Sequence, residues 1–404
     1  MVFGHGLKRF GCIVNGFIKE KLSMLLDSKL ANVGTSIFTE MTLLAKKTKA
    51  INLSQGFPEF ETPSFLKQAV VDAINSDKNQ YPPSPGVPEL LDEVANLIER
   101  KYEKKLTASE NITIVSGATE ALFVALQLVV SKDDEVIIFD PAYDAYEPVV
   151  ELAGGKCVHI GLDAPHYKVN WEQVKKAINS KTKAIVINSP HNPTGTLLNH
   201  EDMLALEKII FDNELLLISD EVYEFITFDG EQHESVLRYP KLFERSFVVS
   251  SFGKTFHCTG WKMGYCTAPK ELTTEFRKLH QFVTFTTSTP NQYGLIEMLK
   301  EQPNHIDELS DFYQQKRDYL VDALSGSKFK ILTAKGTYFL LADYSEISDL
   351  NDRDFCYWLA EEVGVAAVPL SPFYPEGYDS KVIRLCFAKN EDTLRLAADK
   401  LCGL

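Results

Sequence analysis

The chain has 404 residues, enough for about two ordinary domains, and its apolar and charged fractions of 45% and 24% are those of a globular protein. A formal net charge of −14 excludes a general affinity for nucleic acid or for an anionic membrane surface. No run of about 18 apolar residues suggests a membrane span, seven scattered cysteines without a CxxC read as reduced thiols of a cytoplasmic protein, and nine histidines without an HxH or HExxH pair argue against a metal site.

Residues 1–27 combine basic residues with a short apolar patch that Gly11, Asn15 and Gly16 interrupt, and no small-residue cleavage site follows it. A disordered or loosely helical extension is expected there, or a true start at Met24. Residues 28–58 are expected to form an arm that packs on a smaller domain or on a partner subunit. From Asn111 to Ala268 short apolar runs alternate with amphipathic segments. The runs are "NITIVSG", "DEVIIFD", "KCVHIG", "KAIVINS", "LLLISD", "SFVVSS" and "KMGYCTA", and the helix-like segments include "ATEALFVALQLVV", "YEPVVELA", "WEQVKKAI" and "EDMLALEKIIF". This alternation predicts an α/β fold: a large domain over residues 59–300 with a mostly parallel seven-stranded sheet, covered by helices on both faces. Beyond residue 300 a helix over Ile306–Leu324 leads to "FKIL", "TYFLLADY", a helix around Phe355–Val363, "KVIRLCFA" and a last helix. That pattern predicts a smaller α+β domain over 301–404.

In a parallel sheet of this kind, ligands bind beyond the carboxyl ends of the strands, and the chemically distinctive residues cluster there. In "SGATEAL", Gly117, Ala118 and Thr119 sit at a strand-to-helix turn, where free backbone N–H groups make an anion site. An ordinary cap by Ser116 or Thr119 is the plainer alternative. Asp220 ends the strand of "LLLISDEVY" and is either a helix cap or a buried carboxylate that keeps a heteroaromatic nitrogen protonated. Asn192 in "NSPHNPTG" serves a turn or projects its amide over the strand ends. Arg384 alternates into an apolar strand and needs a carboxylate, from this chain or from a substrate. Lys254 in "SSFGKTFHCTGWKMGY" is either a solvated loop residue or a nucleophile whose pKa burial lowers.

These motifs, in this order and spacing, resemble the fold type I, pyridoxal-phosphate-dependent aminotransferases of the aspartate aminotransferase superfamily. The resemblance runs from about residue 28 to the C-terminus. "INLSQGFPEF", "NQYPPSPGVPEL", "FDPAYDAYEP" and "GTYFLLADYS" are most similar to the methionine aminotransferase and kynurenine aminotransferase (glutamine transaminase K) branch. It implies pyridoxal 5′-phosphate as cofactor, bound covalently through Lys254, which then serves as the catalytic base. It further implies Asp220 on the pyridine nitrogen, Asn192 and Tyr223 on the phenolic oxygen and Tyr143 on the ring face. The phosphate would lie on Gly117, Ala118 and Thr119, with Ser251 and Lys262 completing the cup. Lys262 stands where much of the superfamily has arginine, as is usual in this branch. Arg384, Asn192, Gly56 and Phe57 would bind the substrate.

Tyr81 matches a tyrosine that reaches the phosphate of a neighbouring subunit, which implies a homodimer with shared active sites. The reaction implied is transfer of an α-amino group to a 2-oxo acid by a ping-pong mechanism, with β-elimination from cysteine conjugates as the alternative and an aminotransferase-like regulator a remoter one. An aromatic, neutral lining from Phe57, Tyr143, Phe285, Phe373 and Tyr374 is expected to favour methionine, glutamine, kynurenine and other aromatic donors. Alternatively, several of these rings belong to the core.

Overall fold

The computed structural model describes residues 27–404; the extension expected over 1–27 therefore lies, apart from Asp27, outside the described residues. Among the described residues thirteen strands follow one another. Ile51–Asn52 (β1) comes first, then Ile112–Val115 (β2), Glu135–Asp140 (β3), Lys156–Gly161 (β4), Thr182–Asn188 (β5), Leu216–Asp220 (β6), Ser246–Ser251 (β7) and Gly264–Thr267 (β8). The C-terminal part adds Lys330–Leu332 (β9), Phe339–Asp343 (β10), Val365–Ala366 (β11), Val368–Pro369 (β12) and Val382–Cys386 (β13).

Strands β2 to β8 form one seven-stranded sheet in the order β2-β8-β7-β6-β5-β3-β4. Only β8 runs against the others, pairing antiparallel with both β2 and β7. The near-continuous apolar runs are explained by burial on both faces. Ile137, Ile185, Ile187, Leu217 and Val248 join one core cluster. Their strand neighbours Val136, Ile138, Ala184, Val186, Ile218, Phe247 and Val249 join the other. Successive side chains of a strand point to opposite faces, so every one of these positions must be apolar. Helix Ala118–Val129 covers the second face, packing on β6, β7 and β8, while helix His200–Asp212 puts Met203, Leu206, Ile209 and Ile210 on the first. Among the described residues no helix is long and apolar enough to cross a membrane.

A four-stranded antiparallel sheet, β12-β13-β10-β9, forms from the C-terminal third. The helix expected over Ile306–Leu324 is divided into Asn304–Asp307 and Leu309–Ala323, with Glu308 between them. The next one starts at Asp352, capped by the Asn351 side chain, and ends in a wider turn over Leu359–Val363 that Gly364 closes at φ +81°. Helix Ile37–Thr48 packs on β11 and β12, and β1 pairs in parallel with β11. The segment after β1 continues along β13, because Leu53 O accepts from Cys386 N at 2.8 Å. This pairing carries residues 53–57 to the mouth of the sheet.

Candidate active site

A cavity of about 250 Å³ lies at the carboxyl ends of β2, β5, β6 and β7. The antiparallel strand explains how its rim is assembled. Because β8 runs backwards, its first residue, Gly264, faces Val115 at the end of β2 and Ser251 at the end of β7. Lys262, two residues earlier, is thereby delivered to the same corner as Gly117 and Ser251. The approach is close: a Cβ at Gly264 would lie 2.6 Å from Ser250 O and 3.2 Å from Ala118 N.

Gly117 is the N-cap of helix Ala118–Val129 at φ +80°, a conformation other residues adopt at a cost, and no side chain caps this helix. The plainer alternative, capping by Ser116 or Thr119, is therefore not what the structure has. The first-turn N–H groups of Ala118 and Thr119 face the cavity without intrahelical partners. Lys262 hangs over them; a Cβ on Gly117 would meet its Nζ at 3.3 Å. Backbone N–H groups, a helix N-terminus and an ammonium group converge there as an anion cup, with Ser251 beside them.

Opposite the cup, Asp220 is buried at the end of β6. Tyr146 Oη donates to its Oδ2 at 2.6 Å and Val222 N to its Oδ1 at 3.4 Å. Burial pushes its pKa up to about 6, against the pull of these hydrogen bonds and of Lys254. Asn188 ties the neighbouring loop to the same strand: its Nδ2 donates to Asp220 O at 2.8 Å and its Oδ1 accepts from Asn192 N at 2.7 Å. Tyr143 lines the cavity beside them, its phenol pushed up to about 12 by burial.

Lys254 lies in the short helix Phe252–Thr255 that follows β7. Its Nζ donates to Tyr338 Oη at 2.8 Å and lies 5.4 Å from the ring centroid of Tyr223. Burial lowers its pKa to about 8; the charges of Lys262 and Arg384 add to the depression, and Cys386 and Asp220 oppose it. Of the two alternatives for this residue, the solvated loop lysine is thus ruled out.

Arg384 closes the far wall, 1% exposed in β13. Its Nη1 donates to Asn192 Oδ1 at 2.8 Å and its Nη2 to Ser54 O at 3.3 Å, while its guanidinium lies 3.8 Å from the ring centroid of Phe339. Among the described residues no carboxylate hydrogen-bonds to it, although the Asp144 carboxyl lies near enough to feel its charge, and its buried Nε has no hydrogen-bond partner. A buried guanidinium with no carboxylate hydrogen-bonded to it is costly unless a ligand supplies one.

Of the residues expected at the site, Gly56, Gly117, Ala118, Thr119, Tyr143, Asn192, Asp220, Tyr223, Ser251, Lys254, Lys262 and Arg384 line this one cavity. Phe57, Phe285, Phe373, Tyr374 and Tyr81 do not. Phe57 is 41% exposed under Lys389, and Phe373 packs behind Phe38. Tyr374 packs on Tyr378. Tyr81 is 83% exposed, its ring edge to face with Phe285. The apolar lining comes instead from Phe38, Leu122, Val222, Met263 and Phe339. Asn188, Tyr146 and Tyr338 were also missed. Asn188 could have been found, as a polar residue ending an apolar strand; the others carry no local signal.

A family model described as aminotransferase class I and II matches residues 48–401. The chain belongs to this aminotransferase family. A methionine aminotransferase of Escherichia coli (strain K12) is 47% identical over 94% of this chain and 98% of its own length. A kynurenine–oxoglutarate transaminase of Dictyostelium discoideum is 34% identical over 94% and 96%. Among solved structures, an E. coli protein with a methionine aminotransferase function superposes with a TM-score of 0.92 at 47% identity, covering 94% of this chain and 99% of that one. An aspartate aminotransferase of Thermus thermophilus gives 0.85 at 29%, covering 94% and 99%. The aminotransferase thus has the α/β fold of its relatives, and an aminotransferase moves an amino group between an amino acid and a 2-oxo acid.

Proposed function

We propose that this aminotransferase uses pyridoxal 5′-phosphate to move the α-amino group of a neutral or aromatic L-amino acid to a 2-oxo acid, by a ping-pong mechanism. The observation that carries the reading is Lys254, a buried amine brought down to about pH 8, in one cavity with an anion cup, a buried carboxylate and a buried guanidinium whose Nε is free. The donor set fits the cofactor. Gly117, Ala118, Thr119, Ser251 and Lys262 would hold a phosphate, Asp220 a protonated ring nitrogen, Asn192 and Tyr223 the phenolic oxygen, and Tyr143 the ring face. Bound there, the cofactor supplies an electron sink for the bond to be broken at Cα.

The protein's own groups do the rest. Asp220, held by Tyr146 and Val222, keeps a negative charge where the ring nitrogen needs it. Arg384 takes the substrate carboxylate, a planar fork that fixes the orientation of Cα. Lys254, neutral in an appreciable fraction near neutral pH, can accept a proton at Nζ and deliver it elsewhere. Lys254, Lys262 and Arg384 are the cations of this lining, each with a role, so none is left for a distal carboxylate. With Phe38, Val222 and Phe339 beside them, methionine, glutamine and aromatic donors, kynurenine included, are favoured over aspartate.

We further propose a homodimer in which Tyr81 completes a neighbouring subunit's site, and a division into an arm over 28–58, a large domain over 59–300 and a small one over 301–404. Tyr81, Phe282 and Phe285 are exposed by 83%, 87% and 46%, an apolar group that a partner would cover. The low charge-to-membrane complementarity and free thiols suit a cytoplasmic enzyme.

Borohydride reduction of the holoenzyme should leave the cofactor attached to the Lys254 peptide, found by mass spectrometry, and Lys254→Ala should lose transamination of methionine. Attachment at another lysine, or wild-type turnover by the variant, would sink the assignment. Rates across a panel of amino acids test specificity, and faster turnover of aspartate than of methionine would refute it. Sedimentation that finds a cofactor-loaded monomer would refute the dimer.

A further inference from the structure

We infer that Tyr338 is a positioning residue for Lys254: it receives the free amine and fixes the direction in which its lone pair points. This rests on the role proposed for Lys254. The geometry is a two-step relay. Lys254 Nζ donates to Tyr338 Oη at 2.8 Å, and Tyr338 Oη donates to Gly56 O at 2.7 Å. A phenol has one proton, and here the backbone carbonyl takes it. Its oxygen can therefore meet Lys254 only as an acceptor. Burial also holds the Tyr338 phenol well above its usual range, so this polarity persists at every working pH.

The ring itself cannot drift. Tyr338 is 0% exposed, follows Thr337 into β10, and is met by Tyr223 edge-on at 5.2 Å and by Tyr313 at 5.6 Å. Its phenol end reaches Gly56, whose own position leaves no slack: a Cβ there would lie 2.7 Å from Phe339 Cζ. One hydroxyl thus links the lysine after β7, the second sheet and the segment that follows β1. When Lys254 is free, one N–H points at Tyr338. Its remaining positions are then turned toward the cavity, where Asp220, Lys262, Arg384 and Tyr223 surround it. An amine that must take a proton from one atom and return it to another needs such a fixed seat, because misdirection by about 1 Å can cost on the order of a hundredfold in rate.

Tyr338→Phe removes the acceptor and keeps the ring. Two readouts follow. In the cofactor-free protein, trace acetylation across pH, read on the Lys254 peptide, should give a midpoint lower than wild type by about half a unit, because the lost acceptor favours the ammonium form. In the holoenzyme, kcat for methionine should fall about tenfold, equivalent to one charge-assisted hydrogen bond. The deuterium effect from Cα-labelled methionine should rise, and KM should stay within about threefold. An unchanged midpoint, or an unchanged kcat and isotope effect, would overturn the inference. If the variant does not fold, 3-fluorotyrosine at position 338 keeps the shape and weakens the acceptor. The midpoint should then move the same way by less, and no movement would overturn the inference. Failure of the Lys254 assignment is separately visible, since wild-type borohydride labelling would then miss Lys254.

Discussion

The two charged walls of the cavity are both buried and yet differ in one respect. Asp220, on the parallel sheet, has its hydrogen bonds already made: Tyr146 and Val222 donate to it, and Asn188 secures the strand behind it. Arg384, on the antiparallel sheet, has a bound Nη1 and Nη2, a free Nε and no hydrogen-bonded carboxylate among the described residues. A satisfied wall suits a group that stays through many turnovers. An unsatisfied one suits a ligand that comes and goes, because the arriving carboxylate finds a donor that nothing else has claimed.

The sharpest way to break this comparison is to remove the charge from the satisfied wall. Asp220→Ala should lower kcat/KM about a thousandfold, the scale of a lost preorganised electrostatic group. A loss confined to KM would mean that Asp220 is only a helix cap. On the other wall, Arg384→Lys keeps the charge but loses the fork. KM for methionine should rise about thirtyfold with kcat within threefold, and the dissociation constant of a simple carboxylate inhibitor should rise in parallel. Equal inhibitor affinity in both proteins would place the substrate carboxylate elsewhere.

Smaller changes test the supports. Tyr146→Phe removes a donor to the ionised form of Asp220, so the acid limb of the kcat/KM profile should move up by about one pH unit. An unmoved limb would show that the Tyr146 hydrogen bond does not tune this carboxylate. The smallest effect concerns stability. The folded pKa of Lys254 is about 8 and its ordinary value 10.5, so between these the unfolded chain holds more protons and stability rises with pH. Below pH 8 the burial penalty is fully present. From pH 8 to pH 9 the cofactor-free protein should gain about 1 kcal/mol through this group. Lys254→Met should lose that slope in parallel urea titrations, and equal slopes would refute the depressed pKa.

Much of this was legible in the sequence because the signals are local. Each of the seven apolar runs became a strand of the large sheet, since most positions of a strand buried on both faces must be apolar. The backbone-defined parts of the site were equally readable: Gly117 at its turn, Asp220 at a strand end, Asn192 just past one, and Lys254 after a strand. The substrate-side aromatics were not. Phe57, Phe285, Phe373 and Tyr374 do not line the cavity, whereas Phe38 and Phe339 reach it from distant segments. Aromatic rings are common in cores and surfaces alike, so residue type alone could not separate lining from packing.

By itself, then, the sequence determined the alternation of strands and helices and the strand-end positions of Gly117, Asp220, Asn192 and Lys254. Tertiary structure alone decided that one reversed strand brings Lys262 to Gly117. It also decided that Arg384 Nε is left without a partner and that Tyr338 meets Lys254 across 84 residues of chain. The physical reason is range. Hydrophobic periodicity and turn chemistry act over a few residues, while the pairing of buried polar groups depends on which distant segments the packed core presses together.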